Sequence, residues 1–163
     1  MEDVLSKRQV ALSLFEKSPE LAEVKVVYKK RIQNLMKICS SRDCFDVLFN
    51  IYNMDTIEYQ EEFLVLFLNR SNRVLGWTRL SLGGMVGTVV DPKILFAMAL
   101  LTGACSIVIS HNHPSGNTKP SEADIKLTKQ LKEAGKLLEI PLIDHLIIVA
   151  EGCYFSFADE GML

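Results

Sequence analysis

The chain has 163 residues, 48% of them hydrophobic and 23% charged, with a formal net charge of −2 and a pI of about 5.9. That length suits one domain with a full hydrophobic core, and the composition is that of a globular protein. The acidic balance argues against broad nonspecific DNA binding, which needs a basic surface, although it leaves room for a small basic patch.

No apolar run is long enough to span a bilayer; the longest, Ile94 to Leu101, has eight residues. Met1-Glu2-Asp3 places acids where a secretory leader carries basic residues, and no apolar stretch follows, so a cytoplasmic location is expected. The four cysteines, Cys39, Cys44, Cys105 and Cys153, contain no C-x-x-C pair, which excludes a zinc ribbon and a thioredoxin-like motif. Cys105 and Cys153 lie in apolar segments and read as small buried hydrophobes. Cys39 and Cys44 read as reduced structural thiols rather than a disulfide in that compartment.

In chain order, residues 1–18 carry a loose helical pattern (Val4, Leu5, Leu12, Phe15), broken by Ser18-Pro19. We read residues 1–23 as an N-terminal helical extension and 24–163 as the main domain. Val24 to Tyr28 is a short strand candidate, and Lys29-Lys30-Arg31 reads as a solvated strand end. Ser40 or Ser41 is an N-cap with Asp43 in the first turn, opening a helix through Phe45, Leu48, Phe49 and Tyr52 that ends near Asn53.

Within Glu58 to Asn69, the run Phe63–Leu68 predicts a strand buried on both faces. The turn cluster Asn69-Arg70-Ser71-Asn72 then leads into a second strand, Arg73 to Leu82, completing a hairpin. Gly83-Gly84-Met85-Val86-Gly87 lacks both phosphate-loop spacings and reads as a flexible connection. Asp91-Pro92 is a strong helix start, and Gly103 a stop. Ser106 to Ile109 is a buried strand. Ser121 opens a long helix with apolar positions Ile125, Leu127, Leu131, Ala134 and Leu138, ended by Pro141. Leu142 to Ala150 is a strand, Glu151-Gly152 a turn, and Tyr154 to Phe157 a last strand. Strands alternating with helices predict an α/β fold around a central sheet.

The chemistry concentrates in Ser110-His111-Asn112-His113-Pro114-Ser115-Gly116 and in Pro120-Ser121-Glu122-Ala123-Asp124. An extended backbone points residues i and i+2 to one face, so both imidazoles can converge, and Asp124 can join them if the loop folds back. Two histidines, one carboxylate and an open position form the ligand set of a catalytic zinc. Ser121 and Asp124 also have a purely structural reading, because Ser-x-x-Asp opening a helix is a close relative of the capping box. His145, after Asp144 and between apolar segments, reads as a structural residue or a partner of a ligand.

His111, His113, Pro114, Ser121 and Asp124 match the pattern His-x-His-Pro-x₆-Ser-x-x-Asp, which resembles the JAMM motif of the JAB/MPN metalloproteases. The string His-Asn-His-Pro-Ser-Gly is similar to the bacterial RadC branch. So are Gly87-Thr88-Val89-Val90-Asp91, Leu142-Ile143-Asp144-His145 and Tyr154-Phe155-Ser156-Phe157. The resemblance covers about residues 58–163, with weaker similarity back to about residue 24. It implies a JAB/MPN (cytidine-deaminase-like) mixed sheet flanked by helices, and a zinc held by His111, His113 and Asp124 with water as fourth ligand.

The resemblance also implies a glutamate base in a Glu-x-Phe context on an earlier strand. Glu61-Glu62-Phe63 offers two acids facing opposite sides; Glu61 has the family spacing and is the expected base. Ser121 is the expected oxyanion donor. The expected reaction is hydrolysis of a peptide or isopeptide bond in a protein or peptide substrate. The alternatives are a non-hydrolytic binding module and a DNA-repair accessory. Residues 1–50 show no Gly-rich hairpin of the helix-hairpin-helix kind that full-length RadC proteins carry, so nucleic-acid contact has weak support.

Overall fold

The computed structural model describes residues 35–83 and 90–163, all within one compact unit, Ile32–Leu163. The expected helix at 1–18, the strand at 24–28, the Lys29-Lys30-Arg31 run and Gly84 to Gly87 lie outside the described residues. The described elements are α1 (Ser41–Phe49), β1 (Glu62–Leu68), β2 (Val74–Leu82), α2 (Pro92–Thr102), β3 (Ser106–Asn112), α3 (Glu122–Leu137), β4 (Leu142–Ile148) and β5 (Tyr154–Ser156). The strands form one mixed sheet in the order β2-β1-β3-β4-β5. β1 runs antiparallel to β2 and β3, and β3 and β4 are parallel, joined across α3. This is the expected α/β class, consistent with a JAB/MPN domain.

All seven residues of β1 and all seven of β3 are buried, because helices cover both faces of the sheet. On one face Leu64, Leu66, Leu68, Val108, Leu146 and Ile148 pack against Cys44, Phe45 and Leu48 of α1. On the other, Phe63, Val65, Phe67, Ile107 and Ile109 pack against Leu95, Phe96 and Ala99 of α2 and Leu131 of α3. Fully burying each Val, Leu, Ile or Phe side chain among these contributes about 1.5–3 kcal/mol. Each helix begins where its capping chemistry predicts. Ser40 and Asp43 form a capping box, Asp91 accepts from the Lys93 N–H at 2.9 Å with Pro92 at the first position, and Gly103 closes α2 at φ 65°.

Three expectations need correction. α1 stops at Phe49 instead of continuing through Tyr52: the Ile51 N–H bonds Leu48 O only three residues back (2.8 Å), and Asn50 Nδ2 takes the Asp46 carbonyl that a helical N–H would use. Cys105 and Cys153 are exposed, not buried. Each occupies a connection: Cys105 links α2 to β3, and Cys153 follows the left-handed Gly152 (φ 77°) in the β4–β5 turn. All four thiols are free, and Cys44 is the buried one.

The buried stripe of α3 is Thr128, Leu131 and Gly135, whereas Leu138 is a C-cap residue 40% exposed. Gly135 belongs in that stripe because a Cβ there would lie 2.5 Å from the Ile140 carbonyl oxygen. The chain leaving α3 presses directly on the helix, and its Ile140 N–H donates to Gly135 O at 2.8 Å.

Candidate metal centre

Odd-numbered residues of β3 face α2 and α3, so Ile107 and Ile109 enter the core and His111 follows them to its rim. His111 pairs with Phe63 across β1, and the two rings stack with centroids 6.3 Å apart and 7° between planes. His113 lies just beyond the strand, still tied to β4 through its N–H on Ile148 O at 3.0 Å. The chain then turns at Gly116 (φ 75°), whose N–H returns to His113 O, and this brings the Asn117 carbonyl back to His113 Nδ1 at 2.5 Å.

The third group arrives through helix capping. Ser121 is the N-cap of α3, and its Oγ accepts from the Asp124 N–H at 3.2 Å. Asp124 Oδ2 accepts from the Ser121 N–H (2.7 Å) and hydroxyl (2.6 Å). The capping reading of this pair therefore holds, and the bonds that finish the helix also orient the carboxylate toward the two imidazoles. Its other oxygen, Oδ1, sits 3.2 Å from His111 Nε2, and Oδ2 sits 3.7 Å from His113 Nε2. The two histidine Nε2 atoms are 3.0 Å apart. One ligand atom from each of His111, His113 and Asp124 thus lies within 4.8 Å of the others.

This set suits a divalent metal on its own chemistry. A carbonyl can only accept, so His113 Nδ1 carries its proton toward Asn117 and leaves Nε2 for the centre. Two imidazole nitrogens and a carboxylate oxygen converge on one point, where a cation can take the place of the protons that otherwise separate them. The electrostatics agree. Burial alone pushes the Asp124 carboxyl up, but the facing His111 and His113 imidazoles and the Ser121 hydroxyl outweigh it and hold the group well below the usual carboxylate range. Facing Asp124 raises His113 above the ordinary histidine value despite partial burial. The site favours positive charge at its centre.

The two adjacent glutamates separate completely. Glu61 lines a cavity of about 260 Å³ together with Phe63, Val90, His111, Asp124 and Leu127. Glu62 is buried on the opposite, α1-side face, where its carboxylate takes Arg79 Nε at 2.7 Å and Thr56 Oγ1 at 3.4 Å. Asn112, between the two histidines, also faces that side. Its Oδ1 accepts from the Glu62 N–H (2.7 Å), and its Nδ2 donates to Ile57 O (2.6 Å) and Gln60 O (2.8 Å). One side chain therefore brackets Glu61, holding the residue before it and the residue after it.

Sequence reasoning missed Asn112, Arg79 and Thr128. Only their positions pointed to them: Asn112 is one residue off the histidine register, and Thr128 lies four residues after Asp124 on the same helix face. His145, read as structural or as a ligand's partner, is fully buried with its Nε2 2.8 Å from His111 Nδ1 and its Nδ1 2.7 Å from Thr128 Oγ1. Burial first, and then the neighbouring His111, lower its basicity well below the ordinary histidine value, so it is neutral.

With this geometry in view, comparison with known proteins is decisive about kinship. The RadC-like JAB domain profile matches residues 38–162.

The chain belongs to the RadC-like JAB domain family. Among curated relatives, a UPF0758 protein of Flavobacterium johnsoniae is 46% identical over 131 residues, covering 80% of this chain and 56% of the relative. Another from Porphyromonas gingivalis is 47% identical, covering 64% of this chain and 46% of the relative. One from Methanosarcina acetivorans is 39% identical, with coverage of 78% and 54%. The chain spans about half the length of these relatives. Its JAB domain contains no helix, among the described residues, long and apolar enough to cross a membrane.

Proposed function

We propose that this RadC-like JAB domain is a zinc-dependent hydrolase of the JAMM type, cleaving a peptide or isopeptide bond in a protein or peptide substrate. The observation that carries this reading is the convergence of His111 Nε2, His113 Nε2 and an Asp124 carboxylate oxygen beside a cavity that Glu61 also lines. Those three side chains would hold the zinc. When bound, zinc supplies a Lewis acid and lowers the pKa of a coordinated water to about 7.

The protein's own groups do the rest. Glu61 accepts the proton of the attacking water at its carboxylate and returns it to the departing amine. Ser121 is the candidate oxyanion donor; its hydroxyl points to Asp124 Oδ2 and must swing from that carboxylate toward the substrate to serve. Phe63, Val90 and Leu127 supply the apolar walls that limit water in the cavity. Glu62, spent on Arg79, has no path to the same work.

The test is incubation of the zinc-loaded protein with a peptide and isopeptide library, with new termini read by mass spectrometry. Cleavage is expected in wild type and absent in Glu61→Gln, which should still bind zinc. Cleavage unchanged by Glu61→Gln overturns the base assignment. Zinc binding with no cleavage of any library member favours a binding module instead.

A further inference from the structure

We propose that Thr128 and His145 are positioning residues. With the Asp124 main chain they form a one-way chain of hydrogen bonds that compels His111 to present a bare Nε2 to a metal. The direction follows from donors and acceptors alone. The Asp124 carbonyl can only accept, and it takes the Thr128 hydroxyl proton at 2.6 Å. Thr128 Oγ1, its single proton spent, must accept from His145 Nδ1 at 2.7 Å. A neutral His145 with its proton on Nδ1 has only a lone pair on Nε2, so it accepts from His111 Nδ1 at 2.8 Å. His111 then carries a proton on Nδ1, which leaves the Nε2 facing Asp124 and His113 as the nitrogen a metal can take.

Reversing any link spoils the site. If the Thr128 hydroxyl turned to His145 Nδ1, the His145 proton would move to Nε2, His111 Nδ1 would become the acceptor, and His111 Nε2 would hold a proton where the metal belongs. The surroundings protect the direction. His111 and Thr128 are each 1% exposed and His145 is fully buried, so water has little room to substitute for a partner. Phe157 stacks on His145 with centroids 4.6 Å apart and 11° between planes, which opposes a ring flip.

The chain is also closed on itself. It starts at the backbone carbonyl of Asp124 and ends at the ligand whose Nε2 meets the carboxylate of that same residue. One turn of α3 therefore both supplies a ligand and sets the tautomer of another. The purpose of this arrangement rests on the metal reading above, but its direction can be measured without metal.

Long-range proton–nitrogen NMR on the full, uniformly ¹⁵N-labelled chain without metal should show His145 as the Nδ1–H tautomer and a proton on His111 Nδ1. An Nε2–H tautomer at His145 overturns the proposal. Thr128→Val keeps the side-chain shape and deletes both links, and its affinity for zinc and for cobalt should fall about 10- to 100-fold. Thr128→Ser restores the hydroxyl and should bind within about twofold of wild type. Val and wild-type proteins with equal affinity also overturn it. A wild type that binds neither ion removes the metal reading, and the tautomers still uphold or overturn the chain.

Discussion

At the end of β3 the sheet presents two unlike faces within three residues. His111 and His113 face α3, where every acceptor points inward at one spot and the carboxylate nearby is held in its charged form. Asn112 faces the α1 side, where each polar group has a protein partner: Asn112 with residues 57–62, Glu62 with Arg79, Tyr52 with Ser110 at 2.9 Å. The first face gathers candidate ligand atoms at one point and the second is tied into the backbone. Glu61 and Glu62 repeat the contrast one strand away, the same side chain serving opposite ends because the pleat alternates. The clamp face holds the backbone that carries the His111, His113 and Asp124 cluster.

That comparison can be broken most directly at Asn112. Asn112→Ala leaves two buried backbone groups and one part-buried one without partners, at about 1–3 kcal/mol for each buried group, so a loss of about 4 kcal/mol is expected in urea unfolding. A loss below about 1 kcal/mol would show that the clamp does not bear on the fold. On the other face, zinc at a hundredfold excess over its Kd should stabilise the chelator-treated protein by about 2.7 kcal/mol. Calorimetry should then show a rise in Tm of roughly 5–10 °C, and His113→Ala should erase it.

The glutamates sharpen the contrast further. Arg79→Ala strands a carboxylate that is almost wholly buried and should cost about 2 kcal/mol, below the usual range for buried pairs because Arg79 is itself 39% exposed. Glu61→Ala should change stability by about 0.5 kcal/mol or less, since it leaves no buried partner behind. Equal losses for the two variants would erase the distinction. The smallest expected effect concerns reactivity. Burial, and then the nearby Asp144, push the Cys44 thiol up to about 12, so at pH 8 it is protonated and should resist alkylation in the native protein. Exposed Cys39 should react, as intact mass after iodoacetamide would show.

Much of this molecule was legible without coordinates where a local rule applied. The caps at Ser40, Asp91 and Ser121, the stop at Gly103 and the doubly buried β1 all follow from the residues beside them. Boundaries moved where a side chain intervened, as when Asn50 took the Asp46 carbonyl and ended α1 early. Cys105 and Cys153 misled because apolar neighbours say nothing about which way a connecting residue points. Leu138 misled for a related reason: α3 buries Thr128 and Gly135, one for its hydroxyl and one for its lack of a side chain, and a hydrophobic count passes over both.

The sequence by itself determined the donor set: His-x-His puts two imidazoles on one face, and Ser-x-x-Asp builds a capped carboxylate, because both depend only on backbone periodicity and short-range hydrogen bonds. It also restricted the nearby acids to Glu61 and Glu62 on opposite faces. Which glutamate lines the cavity beside His111 and Asp124, and that Thr128, His145 and His111 join α3, β4 and β3 in one chain of hydrogen bonds, only the tertiary structure decided. Those facts depend on strand register and helix placement, which arise from contacts between residues 17 to 50 positions apart. No local pattern encodes such distances.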